Sequence, residues 1–142
     1  MKLKFILLTL LIIVNGCASK NTSNINELEL VSMIQLINNP EKYDGKKIEI
    51  RGYFIIAFEE SVIYLNKIDY DIANTKNGIW LSVSKEFMKS QNIELPYKGY
   101  ICIDGIFKKN KKNSTSSYSG TLKDIDYVSR IVSREENGNV SD

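Results

Sequence analysis

The chain has 142 residues, enough for one domain, with 43% hydrophobic and 25% charged residues, the balance of an ordinary globular protein. It holds no histidine, which excludes His-based acid/base pairs, Ser-His-Asp and Cys-His nucleophile systems, and His-ligated metal sites. Its 19 basic residues outnumber its 17 acids only through Lys2 and Lys4. Without those two the chain is neutral and lacks the broad positive field that gathers nucleic acid.

Lys2 and Lys4 precede a predominantly apolar stretch of ten residues, Phe5 to Val14. A helix needs about 20 apolar residues to span a bilayer, so this stretch fits a secretory h-region instead. Val14-Asn15-Gly16-Cys17 follows and resembles the lipobox of bacterial lipoproteins. That resemblance implies cleavage before Cys17, lipid of the palmitate class on its thiol, and a cell-envelope membrane as the first partner. Two or three acyl chains, at roughly 0.8 kcal/mol per buried CH₂, anchor a protein stably. Ala18 is not the aspartate that retains enteric lipoproteins at the inner membrane. In an organism with two membranes the resemblance therefore implies the periplasmic side of the outer membrane. Residues 1–16 thus read as a signal peptide and 17–26 as a lipidated, Ser/Asn-rich tether with a reach of roughly 15–18 Å. Residues 27–132 read as the folded domain and 133–142 as a disordered tail.

The first predicted element is a helix. Asn26 with Glu29 has capping-box spacing. Leu30, Ile34 and Ile37 follow at helical intervals, and Asn38-Asn39-Pro40 ends the run. Asp44-Gly45 makes a turn. From Lys46 the period becomes two, with Ile48, Ile50, Phe54, Ile56 and Phe58 against Lys47, Glu49, Arg51 and Tyr53. Gly52 falls on the apolar side and indicates a bulge or bend. A turn at Glu59-Glu60-Ser61 leads to a second strand, Val62 to Leu65. Asn66 to Asn77 is a loop or a single helical turn, and Gly78 to Val83 is a third strand. Ser84 starts a short helix that ends before Pro96. Lys98 to Phe107 is a fourth strand, with Gly105 placed much as Gly52 is. Lys108 to Ser119 is a polar loop, and Thr121 to Ile131 is a fifth strand.

This order predicts a mainly β domain with an N-terminal helix. Five strands, two of them long and holding a glycine, with a helix between the third and fourth, fit a five-stranded OB-like barrel. An α+β open antiparallel sheet is the alternative. The stretch from Ile37 through Asn39-Pro40, Tyr43-Asp44-Gly45-Lys46 and on to Arg51-Gly52 resembles the entry to small bacterial OB modules of the tRNA-anticodon-like and exported types. The later Tyr64-Leu65 and Asp69-Tyr70 fit an uncharacterised branch of that group. The likeness implies a fold rather than a ligand. Tyr43 is expected to pack over the helix–strand junction, and Gly45 to take the positive φ of a tight turn.

Arg51, Tyr53, Tyr64 and Trp80 are candidate binding residues, because OB barrels use the face of their second and third strands and stack ligands on aromatics. Lys108, Lys109, Lys111 and Lys112 form a basic run in the last loop, suited to an anionic ligand but more often a solvated surface. Asp69, Asp71, Asn74 and Asn77 lack the glycine and terminal glutamate of an EF-hand. Asp104, Asp124 and Asp126 sit on the last two strands without an evident cleft for acid/base work. Cys102, with no partner for a disulfide, is expected to pack as a small apolar group beneath the helix. No catalytic residue, metal ligand or cofactor is indicated. The expectation is a non-catalytic, membrane-anchored module that docks a protein partner. An oligonucleotide or other anionic-ligand binder, and an immunity or inhibitor lipoprotein, are the alternatives.

Overall fold

The computed structural model describes residues 27–57, 59–111 and 116–132. The leader, Cys17, the tether, Phe58, Lys112 and the tail lie outside them. No described helix is long and apolar enough to cross a membrane. Strand β1 (Glu29–Leu30) leads to helices α1 (Met33–Asn38) and α2 (Pro40–Tyr43), then strands β2 (Lys47–Ala57) and β3 (Glu60–Tyr64). Helix α3 (Lys67–Asp71), a 3-10 turn (Thr75–Asn77), strand β4 (Gly78–Leu81), helix α4 (Lys85–Ser90) and strands β5 (Tyr97–Lys109) and β6 (Gly120–Arg130) complete the order.

β2, β3 and β4 form an antiparallel meander. β4 runs parallel to β6, β6 is antiparallel to β5, and β5 returns to pair with β2 from Lys47↔Ile106 to Ile56↔Tyr97. The sheet therefore closes into a five-stranded mixed barrel of OB-like type, and the open-sheet alternative does not occur. β1 adds a two-residue parallel edge to β2.

Closure depends on where side chains are missing. At Gly52 the backbone of β3 comes so close that a Cβ would lie 2.4 Å from the Tyr64 carbonyl oxygen and 2.8 Å from Ile63 Cγ1. The β2–β5 register runs through Gly52 without a shift. This glycine admits a neighbouring strand and makes no bulge. The bulge lies at Gly105, where the β5–β6 register slips between Asp104 and Ile106. Such a bulge adds local twist. Gly45 takes φ +81° and turns the chain into β2, its N–H donating to the Phe107 carbonyl at 2.8 Å.

The alternating residues Ile48, Ile50, Phe54 and Ile56 point inward and meet Ile63, Ile79, Leu81, Ile101, Ile103, Phe107, Leu122 and Val128. Tyr43 joins this core, and Lys42 and Lys46 place their ammonium groups near its ring. Ser84 caps α4 by accepting a hydrogen bond from Phe87 N–H, and Met88 of that helix is fully buried.

The N-terminal helix differs from the expectation. It begins at Met33 with Ser32 as its cap, the hydroxyl accepting from Gln35 N–H, and Glu29 and Leu30 lie in a strand. Val31, Met33 and Leu36 enter the core, whereas Leu30 and Ile34 are 62% and 57% exposed. The spacing of Leu30, Ile34 and Ile37 is helical, but the pairing of β1 with β2 takes Leu30 out of the helix and turns the buried stripe to Met33 and Leu36. Lys108 and Lys109 also differ, because they extend β5 opposite Thr121 and Gly120 and do not open the loop.

Candidate binding groove

Alternation along the barrel strands sends every second side chain outward. On β3 and β4 the outward pairs are Val62↔Trp80 and Tyr64↔Gly78. The bare Gly78 leaves room for Tyr118, which arrives from the β5–β6 connection. Tyr118 sets its ring 5.6 Å from that of Trp80, and the following Ser119 N–H donates to the Gly78 carbonyl at 3.0 Å. Trp80, Tyr118 and Tyr64, with Ala57, Ala73 and Thr75, line an open groove of about 580 Å³. Glu59 and Glu60 stand on its rim, and no lysine or arginine is among its described lining residues. Tyr64 donates its hydroxyl hydrogen to Glu60 Oε1 at 3.2 Å. Burial, then Tyr118 and Glu60, pushes the Tyr64 phenol well above its ordinary value, so it stays a donor at every physiological pH.

The Asn66–Asn77 segment forms one wall. Asp69 is buried, its Oδ1 accepting from Asn74 and Asn77 Nδ2 at 2.8 and 2.9 Å, and its N–H donating to Asn66 Oδ1 at 2.9 Å. Asp71 pairs with Lys67. These bonds leave Asp69 Oδ2 buried without a hydrogen-bond partner, fasten the segment to itself and carry Tyr70 over the barrel. Its ring packs 5.8 Å from both Tyr53 and Tyr64. Lys98 donates to the Tyr70 hydroxyl at 2.7 Å and lies over the ring.

The candidates from the sequence therefore separate. Tyr64 and Trp80 share the groove. Tyr53 is buried beneath Tyr70 and Tyr100 and offers no ligand surface. Arg51 is exposed and bonds to Glu49 Oε1 through Nε and Nη2 at 3.1 and 2.8 Å. Lys109 is ion-paired to Glu41, and its N–H donates to Asp44 Oδ1. Lys108 and Lys111 are exposed. Glu59, Glu60 and Tyr118 were not singled out for binding. The first two read as a turn and the third as loop; the β3–β4 pairing brings Glu59 and Glu60 towards Trp80, and the β4–β6 pairing brings Tyr118.

A second polar cluster lies on the outer face of β2 and β5, where Glu49 faces Asp104 and Arg51 faces Cys102. Cys102 is buried, but among charged neighbours and not apolar ones as expected. Burial first, then hydrogen bonding to Glu49, pushes its thiol up to about 11. Asp104 is pushed up by burial and then by the charges of Glu49 and Asp126. Asp126 pairs with Lys47. Asp124, at φ +49°, lies next to the bulge. No family model, curated protein or solved structure matches the chain.

Proposed function

We propose that this chain is a lipid-anchored, non-catalytic binding module of the cell envelope that docks a partner protein in the groove of Trp80, Tyr118 and Tyr64. The single observation that carries the reading is the pairing of this aromatic floor with the acidic rim of Glu59 and Glu60. Aromatic faces gain from contact with a cationic or aliphatic side chain, indole most of all. Two carboxylates at the mouth favour a lysine or arginine on the incoming segment and repel a phosphate backbone. The volume lies within the roughly 300–1,000 Å³ of pockets that seat a ligand, here enough for a few side chains of a partner's loop. The lipobox-like motif at Cys17 supports placing this activity at a membrane, within the reach of the nine residues from Ala18 to Asn26.

The oligonucleotide alternative draws on Lys108, Lys109, Lys111 and Lys112, and the acidic groove weighs against it. An immunity or inhibitor lipoprotein is the special case in which the partner is a toxin. A photo-crosslinking residue in place of Tyr118, in intact cells, tests the reading. One protein adduct should form, and it should be lost when Trp80→Ala or Glu60→Lys is added. Adducts to lipid or nucleic acid alone, or an adduct indifferent to both changes, would overturn it.

A further inference from the structure

Away from the groove, the β2–β5 face holds an arrangement that folding does not explain. Glu49 and Asp104 are directly opposed on neighbouring strands, a pairing of like charges that costs stability. Asp104 is only 8% exposed, and its Oδ1 is sealed from solvent with no hydrogen-bond partner. Leaving a buried carboxylate oxygen unpartnered is expensive. Lys47 is paired with Asp126 and Arg51 with Glu49 inside the cluster, and neither is bonded to Asp104 Oδ1. Beside Asp104 on the same strand face is Cys102. A carboxylate oxygen of Glu49, a carboxylate oxygen of Asp104 and the Cys102 sulfur all lie within 4.8 Å of one another.

We propose that Glu49, Cys102 and Asp104 form a binding site for a thiophilic divalent cation of the zinc class. The donor set decides the class. Calcium and magnesium take oxygen ligands, whereas zinc accepts thiolate and carboxylate together, commonly at four-coordinate centres. Coordination would require side-chain rotations that draw together three donors now within 4.8 Å of one another, with water in the fourth position. The charges balance: the 2+ ion meets a thiolate and two carboxylates, and Arg51 neutralises the remaining negative charge. Binding must displace the Cys102 proton, which leaves to solvent, so affinity rises with pH. The ion supplies Asp104 with the partner that the protein alone does not.

Cobalt(II) is the probe, because its bond to a thiolate gives a ligand-to-metal charge-transfer band and tetrahedral coordination gives intense visible bands. The full mature chain in detergent should take up one equivalent with both signatures. Zinc should displace it, and calcium and magnesium should not. Cys102→Ser and Asp104→Asn should each abolish the charge-transfer band, and Glu49→Gln should weaken uptake at least tenfold. The Asp104→Asn result separates this site from any unlipidated Cys17, because that variant keeps both sulfurs. Circular dichroism establishes that each variant is folded, and the unaltered chain provides a reading independent of them. A band that survives Asp104→Asn in the folded protein would overturn the proposal. So would an unaltered, folded chain that takes up no cobalt.

Discussion

Gly52→Ala offers the sharpest test of how the barrel closes. The new methyl would sit 2.4 Å from the Tyr64 carbonyl oxygen, and ordinary contact begins at 3.4 Å, so β2 and β3 must part by about 1 Å there. The obstacle is backbone in a paired strand and cannot rotate away. Overpacking of this kind costs about 1–3 kcal/mol. Each ladder hydrogen bond stretched beyond range adds about 1 kcal/mol. The reduced entropy of the unfolded chain returns about 0.4–1 kcal/mol. The net loss is about 3 kcal/mol, which for a domain of this size lowers Tm by roughly 12–24 °C. Gly99→Ala is the matched control. Its Cβ would meet the Tyr97 hydroxyl at 2.7 Å and the ring carbon behind it at 3.0 Å, a half-buried side chain and not paired backbone, so the cost should be smaller than at Gly52. Thermal melts followed by Trp80 fluorescence and far-UV circular dichroism compare the two. Equal stabilities for the two variants, or a Gly52→Ala protein within about 1 kcal/mol of the parent, would refute the close approach of the strands.

Four further outcomes are expected. Leu36→Ala should cost about 2–5 kcal/mol in urea titrations because it opens a core cavity, while Ile34→Ser should cost under 0.5 kcal/mol; the reverse order would restore Ile34 to the buried face. Ser84→Ala should lose about 1 kcal/mol through the missing cap of α4, read by the same titration. With chelator present, the folded thiol of Cys102 keeps its proton up to about pH 11, whereas the unfolded thiol releases its own near 9.0. Stability should therefore fall between those values by about 2–3 kcal/mol, and Cys102→Ser, compared at each pH, should lack that component of the slope. Finally, Cys17→Ser should abolish incorporation of labelled palmitate and shift the protein out of the membrane fraction; unchanged fractionation would remove the anchor from the account.

Local signals made much of this barrel legible. Alternation from Lys47 to Ile56 names both faces of β2 because a strand has a period of two wherever it pairs. Ser84 marks the start of α4, and Gly45 the positive-φ turn, because capping and φ are properties of a few adjacent residues. Single residues were harder where a remote strand decides. Leu30 left the helix because β2 offered it an edge, and Gly52 reads as a bulge until β3 is seen lying against it. Lys108 reads as loop until Thr121 pairs with it.

The order of residues alone carries the resemblance to a lipobox at Val14–Cys17, the lack of histidine, the five barrel strands and the two faces of β2. The sites were decided by closure. Trp80 and Tyr118 are 38 positions apart, and Glu49 and Asp104 are 55 apart. They meet because β4 lies beside β6 and β5 returns to β2. Which charged side chains face each other, and which carboxylate loses its water, depends on the register between strands distant in the chain. That register is a joint property of the packed core and is written in no single segment.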